Sequence, residues 1–235
     1  MAAALPARRL KRQVRQALAS DDWRMRLEEL SGRVGQGGAT RQHLITALLA
    51  ALSSGQVIVR WRAVSVLGRV VADTARAEPE AAREVMRRLV WGLNEESGAV
   101  AWGAPEALGE IMAQSPLLAG EFANLLIAYI SKCDIALCFA PLRAGAVWGL
   151  GRLARARPEL LKERCAEEPL LALSHEPDPQ VRGLAVWALG WLGGDGAAKR
   201  LAQLVDDQEM LELYERGELK ALSVGQMAAE ALKRL

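Results

Sequence analysis

The chain repeats itself about every 41 residues, and this period limits the fold more than any other feature of the sequence. Four segments align without gaps, and each ends in Leu-Gly: VRWRAVSVLG (59–68), VAWGAPEALG (100–109), LRAGAVWGLG (142–151) and VRGLAVWALG (181–190). The shared Leu residues are 41, 42 and 39 positions apart, and a weaker copy, VGQMAAEALK, adds Leu232. Such a period is typical of arrays in which each repeat is a pair of helices.

The residues around the shared Leu follow a helical pattern. When this Leu is position 0, apolar residues recur at −8, −4, −3 and 0, which places them on one stripe of a helix. Ala at −4 and Gly at +1 leave room for a neighbouring helix to approach closely. Further helical runs lie between these segments, and Pro79, Pro116 and Pro158 stand where a first helical turn begins. We therefore predict alternating helices A and B, in which helix B carries the shared Leu.

This alternation predicts an all-α fold, an alpha-alpha superhelix (α-solenoid) of about six helical hairpins. A single domain is expected over residues 1–235. Residues 1–36 are expected to form a degenerate N-terminal capping hairpin. The other hairpins are expected at 39–72, 79–114, 116–155, 158–193 and 196–235.

Composition and charge narrow the class of protein. The residues are 51% hydrophobic, so the chain can form a continuous core. The net charge of +2 argues against partners such as nucleic acid or a membrane surface. Three Cys residues do not make a disulfide framework, and Cys133 and Cys138 lack a second pair to complete a zinc site. Without a signal peptide or an apolar run of about 18 residues, the sequence predicts a soluble cytoplasmic protein.

The segment 94–110 breaks the repeat pattern because Pro105 falls well inside the expected helix B. Proline costs about 3 kcal/mol in a helix interior, so this helix either kinks or begins late, with Pro105 in its first turn. A late start would leave 94–103 as a longer loop. The carboxylates around it could hold a metal ion, a cationic partner or a catalytic proton, or could simply face solvent. They belong to Glu95, Glu96, Glu106 and Glu110.

The segment EPDPQVRGLAVWALGWLG (176–193) resembles the HEAT repeat consensus. Asp178, Val181–Arg182 and Ala185 stand where that family has its Asp, Val-Arg and Ala, and Arg60 and Arg143 match Arg182. The sequence is most similar to the E–Z type of HEAT repeat, first recognised in phycobilin lyases, over about residues 40–235. The resemblance implies an α-solenoid in which these Arg residues bond to loops between repeats. It implies no single function, because HEAT repeats serve many roles.

Positions −6, −2 and +2 of each helix B point away from its core stripe and are expected to line a concave inner face. Five of the seven Trp residues fall there, together with Arg and Glu, a composition typical of recognition surfaces. In the alternative interpretation, Trp at −2 packs on the next repeat. The predicted binding residues are Trp61, Arg62, Trp102, Glu106, Glu110, Arg143, Trp148, Arg152, Trp187 and Trp191.

These features favour a non-catalytic scaffold that holds a protein or peptide segment on its concave face, over an enzyme. The alternative is a lyase- or chaperone-type protein that holds a planar, tetrapyrrole-like ligand in the same groove. No cofactor or metal is expected, because His43 and His175 lie in no metal or catalytic motif and the His-Glu pairs of HEAT-like di-iron hydroxylases are missing. Acidic residues on the inner face argue against the DNA binding of HEAT-like glycosylases. The apolar last segment leaves homodimerisation open.

Overall fold

The structure, a computed structural model, describes residues 7–33, 40–94, 101–131 and 137–235. The chain forms two compact units: unit 1 is Met1–Gly103 and unit 2 is Ala104–Leu235. The single domain expected from the sequence stays a prediction. Among the helices within these described ranges, none is both long and apolar enough to cross a bilayer.

The described part of unit 1 consists of helices. The shared Leu67 lies on α4, and the predicted stripe at Val59, Ala63 and Leu67 is fully buried. Helix α1 packs against α3 and α4, so its apolar face closes this core. The helices are α1 (Ala7–Ala19), α2 (Trp23–Arg33), α3 (Arg41–Ala51), α4 (Val57–Ala77) and α5 (Pro79–Asn94).

Unit 2 continues the alternation of helices A and B. Its B helices pack side by side in chain order, and the stripe at Val181, Ala185 and Leu189 is again fully buried. The B helices are α6 (Ala104–Gln114), α8 (Ala140–Ala156), α11 (Pro179–Leu192) and α13 (Val224–Leu232). The A helices are α7 (Pro116–Ala128), α9 (Pro158–Glu163), α10 (Glu167–Leu173) and α12 (Asp195–Gln203).

The structure resolves the position of Pro105. Helix α6 begins at Ala104, so Pro105 lies in its first turn, and the late start is the correct one of the two alternatives. Proline is tolerated there because a first-turn N–H has no partner within the helix. Glu95 and Glu96 lie outside the described residues.

The helix predicted to begin at Pro158 is in fact two helices. Helix α9 ends at Glu163 and α10 begins at Glu167, and Cys165 between them has a φ of 55°. Pro169 explains the break, because its ring would clash with the carbonyl of residue 165 in a continuous helix. Cys165 is therefore exposed in a turn and does not pack within a helix.

Glycines after the shared Leu allow successive B helices to touch. A Cβ placed on Gly109 of α6 would stand 2.1 Å from the Cα of Gly149 on α8. One on Gly151 would stand 2.3 Å from the ring of Trp187, and one on Gly190 the same distance from Ala231. Side chains essentially never approach this closely, so these contacts require glycine. The predicted role of Gly at +1 is confirmed at these positions.

A β-hairpin stands between the helices of the last repeat and was not expected from the sequence analysis. Strand β1 (Met210–Glu215) pairs antiparallel with β2 (Glu218–Ser223), so that Glu215 lies opposite Glu218. Arg216 and Gly217 connect them with φ values of 55° and 97°, as in a two-residue type I′ turn. Segment 196–235 is therefore a helical hairpin with a β-hairpin inserted between its two helices.

Candidate functional site

In unit 1 the predicted site residues lie on and beside α4. Trp61 and Trp102 are half-buried, and the guanidinium of Arg60 lies 5.1 Å from the centre of the Trp102 ring. Arg62 donates hydrogen bonds to the carbonyl oxygens of Leu18 (2.9 Å) and Ser20 (2.8 Å) at the end of α1. Carbonyls at a helix end have no partner within the helix, so Arg62 ties α4 to α1.

In unit 2 the β-hairpin covers the predicted inner face of α8 and α11. Leu211 packs on position −6 of α11, where a Cβ on Gly183 would come within 2.7 Å of the Leu211 methyl groups. The side-chain amide of Gln180 donates to the carbonyl of Glu212 (2.8 Å) and accepts from its backbone N–H (2.9 Å). Helix α11 thus contacts both the backbone and the side chains of β1.

Trp148 and Trp187, both at position −2, are covered by this hairpin. Their rings stack with centres 6.3 Å apart, and they are 1% and 3% exposed. Trp148 also contacts the ring of Tyr214 at 6.2 Å and donates a hydrogen bond from Nε1 to the Tyr214 carbonyl (3.1 Å). For these two rings the structure shows the packing alternative, because the hairpin and the next repeat bury them.

The +2 positions of the four B helices in unit 2 form two pairs of contacts. Arg152 of α8 holds Glu110 of α6 with two hydrogen bonds, of 2.6 Å and 3.1 Å. Burial alone lowers the pKa of Arg152, but the hydrogen bonds and charge of Glu110 outweigh it and raise this pKa. Trp191 of α11 is contacted by Arg234, which follows α13 and whose guanidinium lies 4.5 Å from the ring centre.

Breaking the ion pair between Glu110 and Arg152 should destabilise unit 2. Glu110→Gln removes the negative charge from a side chain that is only 7% exposed and leaves the Arg152 guanidinium poorly compensated. We expect the free energy of unfolding, measured with urea, to fall by about 2 kcal/mol. Glu159→Gln is the matched control, because its ion pair with Lys162 is largely exposed and contributes about 0.5 kcal/mol or less. Equal losses in both variants would contradict this role of Glu110.

Two ion pairs fix the hairpin at its two ends. Near its base, Arg182 donates to Asp207 (2.9 Å) and also to the carbonyls of Glu176 and Pro177. At its tip, Arg155 of α8 binds Glu215 at 2.5 Å. Burial tends to raise the pKa of Asp207, but the hydrogen bond from Arg182 outweighs it and lowers this pKa. The bonds of Arg182 to the loop between repeats agree with the role implied by the HEAT resemblance.

The remaining predicted residues lie apart from the hairpin contacts. The carboxylate of Glu106 lies against α8, where a Cβ on Gly145 would come within 2.6 Å of it. Arg143 binds Glu176 at 3.3 Å in the wall of a cavity of about 710 Å³ that also includes Cys138 and His175. No Trp lines this cavity. Over the described ranges, His, Cys, Asp and Glu form no group of three that could hold a metal ion. Cys133 lies outside those ranges.

Four residues that hold or form the hairpin were not predicted from the sequence. They are Arg155, Gln180, Tyr214 and Glu215. A short signal for them exists in the sequence, because Leu211, Glu212 and Leu213 alternate apolar and polar, and Arg216-Gly217 and a second short run follow. The last repeat was interpreted as helical throughout because of its period, so these strands were not predicted.

Comparisons with known proteins agree with this architecture. Residues 135–213 match the family model of HEAT repeats. An uncharacterized protein of Archaeoglobus fulgidus is 27% identical over 174 residues, which are 74% of this chain and 87% of that protein.

Solved structures show the same fold. A computationally designed armadillo repeat protein aligns with a TM-score of 0.50 and 22% identity, over 96% of this chain and 99% of its own. An engineered protein from the Northeast Structural Genomics Consortium aligns with a TM-score of 0.52 and 18% identity, over 98% of this chain and 58% of its own. The chain thus has the all-α fold of helical-repeat solenoids, as the sequence predicted, and its residues 135–213 are similar to HEAT repeats.

Proposed function

We propose that the protein is a non-catalytic protein-binding scaffold whose B helices hold an extended segment of a partner. The observation that carries this proposal is the way α8 and α11 hold β1. Gln180 pairs with both backbone groups of Glu212, and Trp148 donates to the backbone carbonyl of Tyr214. Bonds to the backbone of an extended segment supply affinity, while pockets for alternate side chains supply specificity.

Two further observations support a peptide-like partner. Solved armadillo repeat proteins of similar fold were designed for modular peptide recognition, and we extend that mode of binding to this chain. In unit 1 α4 carries half-buried Trp61 and exposed Arg69, and its Arg60 lies over the half-buried ring of Trp102. Aromatic and Arg side chains with remaining exposed area are typical anchors for a protein segment.

The E–Z subtype of HEAT repeat, with a planar tetrapyrrole-like ligand, stays a prediction and is our second candidate. Such a ligand needs an open pocket walled by aromatic rings. Trp148 and Trp187 are buried by the chain itself, and no Trp lines the 710 Å³ cavity. These observations favour the peptide. Cytoplasmic location and homodimerisation also stay predictions.

The proposal is tested by affinity purification from the native host with the wild type and two variants. Trp61→Ala/Trp102→Ala alters the predicted face of unit 1. Trp91→Ala is the matched control, because this Trp lies on α5 of the same unit and is 73% exposed. We expect the first variant to lose a protein partner that the wild type and the control both retain.

Circular dichroism must show that the double variant remains folded. Partner retention by the folded double variant would contradict a binding role for this face. A chromophore that copurifies with the wild type, detected in an absorbance scan of the eluate, would replace the scaffold proposal with the tetrapyrrole-type one.

A further inference from the structure

Two guanidinium groups flank one indole ring at the tip of the hairpin in unit 2. The guanidinium of Arg155, on α8, lies 4.8 Å from the centre of the Trp191 ring. That of Arg234, which follows α13, lies 4.5 Å from the same centre. Cations are attracted to an indole face, but two like charges this close also repel each other. The group Arg155–Trp191–Arg234, called the Arg–Trp cluster, therefore favours a nearby anion.

One anion is already present, and it belongs to the hairpin. Glu215, the last residue of β1, places its carboxylate on Arg155 at 2.5 Å. The two side chains keep 31% and 25% of their area exposed, so the pair can be reached from solvent. The cluster thus holds a carboxylate that is presented at the end of an extended strand.

The cluster has binding capacity that Glu215 does not use. Arg234 donates only a 3.4 Å bond to the carbonyl of Gly190, and no described carboxylate forms an ion pair with it. Burial lowers the pKa of Arg234, and the positive charge of Arg155 also lowers it. The negative charges of Glu230 and Glu215 raise this pKa, but they do not outweigh the burial. The loss of hydration on partial burial is the largest of these effects.

We propose that the Arg–Trp cluster is a carboxylate-binding subsite through which the scaffold recognises an acidic, extended segment of its partner, with Glu215 as an internal competitor. This inference rests on the proposed function and specifies the chemistry of the partner. A partner carboxylate would bind Arg234 and would compete with Glu215 for Arg155. The hairpin need not leave the helices for this, so Leu211 and Leu213 stay buried.

The charge around the cluster favours a peptide carboxylate over a nucleic acid. Three carboxylates act on the three guanidiniums in this region and balance their charge. The guanidiniums belong to Arg152, Arg155 and Arg234, and the carboxylates to Glu110, Glu215 and Glu230. Such a balanced group lacks the excess of cations on which phosphate-backbone binding depends. Single carboxylates need only local donors of the right geometry, as Glu215 already finds at Arg155.

The test measures binding of a fluorescein-labelled octaglutamate peptide to the full chain by fluorescence anisotropy. Glu215→Gln frees Arg155, and we expect it to tighten binding about fivefold. Arg234→Gln removes an exposed donor of the subsite, and we expect it to weaken binding about fivefold. The matched controls are Glu218→Gln and Lys233→Gln. Glu218 pairs with Glu215 across the hairpin, and Lys233 directly precedes Arg234. Each control makes the same charge change beside the tested residue and should stay within about twofold of the wild type.

Equal effects of Glu215→Gln and Glu218→Gln would overturn the inference, because net charge alone would then explain binding. Tighter binding of an oligouridylate than of octaglutamate, with the same dependence on Arg234, would overturn it in favour of phosphate. Melting curves establish that each variant is folded, and Arg234 is exposed, so its replacement is tolerated. If octaglutamate does not bind, but the Trp61→Ala/Trp102→Ala variant loses the protein partner, the carboxylate subsite is refuted and the scaffold proposal is retained.

Discussion

Gly109→Ala is expected to reduce the free energy of unfolding by about 3 kcal/mol, measured by urea denaturation of the full chain. The added Cβ would stand 2.1 Å from the Cα of Gly149 and 2.6 Å from its carbonyl carbon and oxygen. These are backbone atoms of α8, which cannot turn aside as a flexible side chain would. The helices α6 and α8 must therefore separate, and the close packing between them is lost.

The control for this prediction is Gly120→Ala in the middle of α7, where a Cβ would meet nothing within 4 Å. Alanine is preferred over glycine in a helix by about 1 kcal/mol, so this variant should be slightly more stable than the wild type. The same substitution thus has opposite signs at the two sites. A small gain at both positions would mean that α6 and α8 do not touch at Gly109.

Trp148→Ala is expected to reduce the free energy of unfolding by about 4 kcal/mol. The side chain is 1% exposed, stacks on Trp187 and donates to the carbonyl of Tyr214. Its removal leaves a large cavity between α8 and the hairpin and takes away the hydrogen bond to the Tyr214 carbonyl. The hairpin should also come away more often, which is measured as faster trypsin cleavage after Arg216 at its tip.

Trp91→Ala provides the matched control, since Trp91 is 73% exposed on α5. Its replacement should change stability by no more than about 0.5 kcal/mol. Trp148→Phe separates the two contributions, because it retains most of the apolar contact and removes only the N–H donor. A Trp148→Ala variant as stable as Trp91→Ala, with unchanged cleavage at Arg216, would show that the hairpin does not depend on this ring.

The sequence predicted the repeat architecture because a helical period is a local signal that recurs. The shared Leu and the Ala before it lie in the cores of both units, and Gly109 makes the close contact that its position suggested. Pro105 was recognised as an irregularity, and only the choice between a kink and a late start required the structure. Pro169 carries the same kind of information, but its effect on the helix before it was missed.

The candidate site was harder to predict because it depends on contacts between distant parts of the chain. Periodicity places Trp148 and Trp187 at position −2, but it cannot show that residues 211–214 cover them. Arginine is common at binding surfaces, yet the hydrogen bonds of Arg62 go to carbonyl oxygens at the end of α1. Which face a residue occupies is a local property, whereas what covers that face is set by tertiary structure.

The order of the hairpin and its binding face along the chain has a consequence for synthesis on the ribosome. Trp148 and the carbonyl that it binds are separated by 66 residues, and the hairpin is the later of the two. At about 5–20 residues per second, the rings of α8 wait roughly 3 to 13 s for the strand that buries them. During this interval the nascent chain exposes apolar surface that the finished protein hides. A chaperone that binds apolar segments would therefore meet this protein before its translation ends.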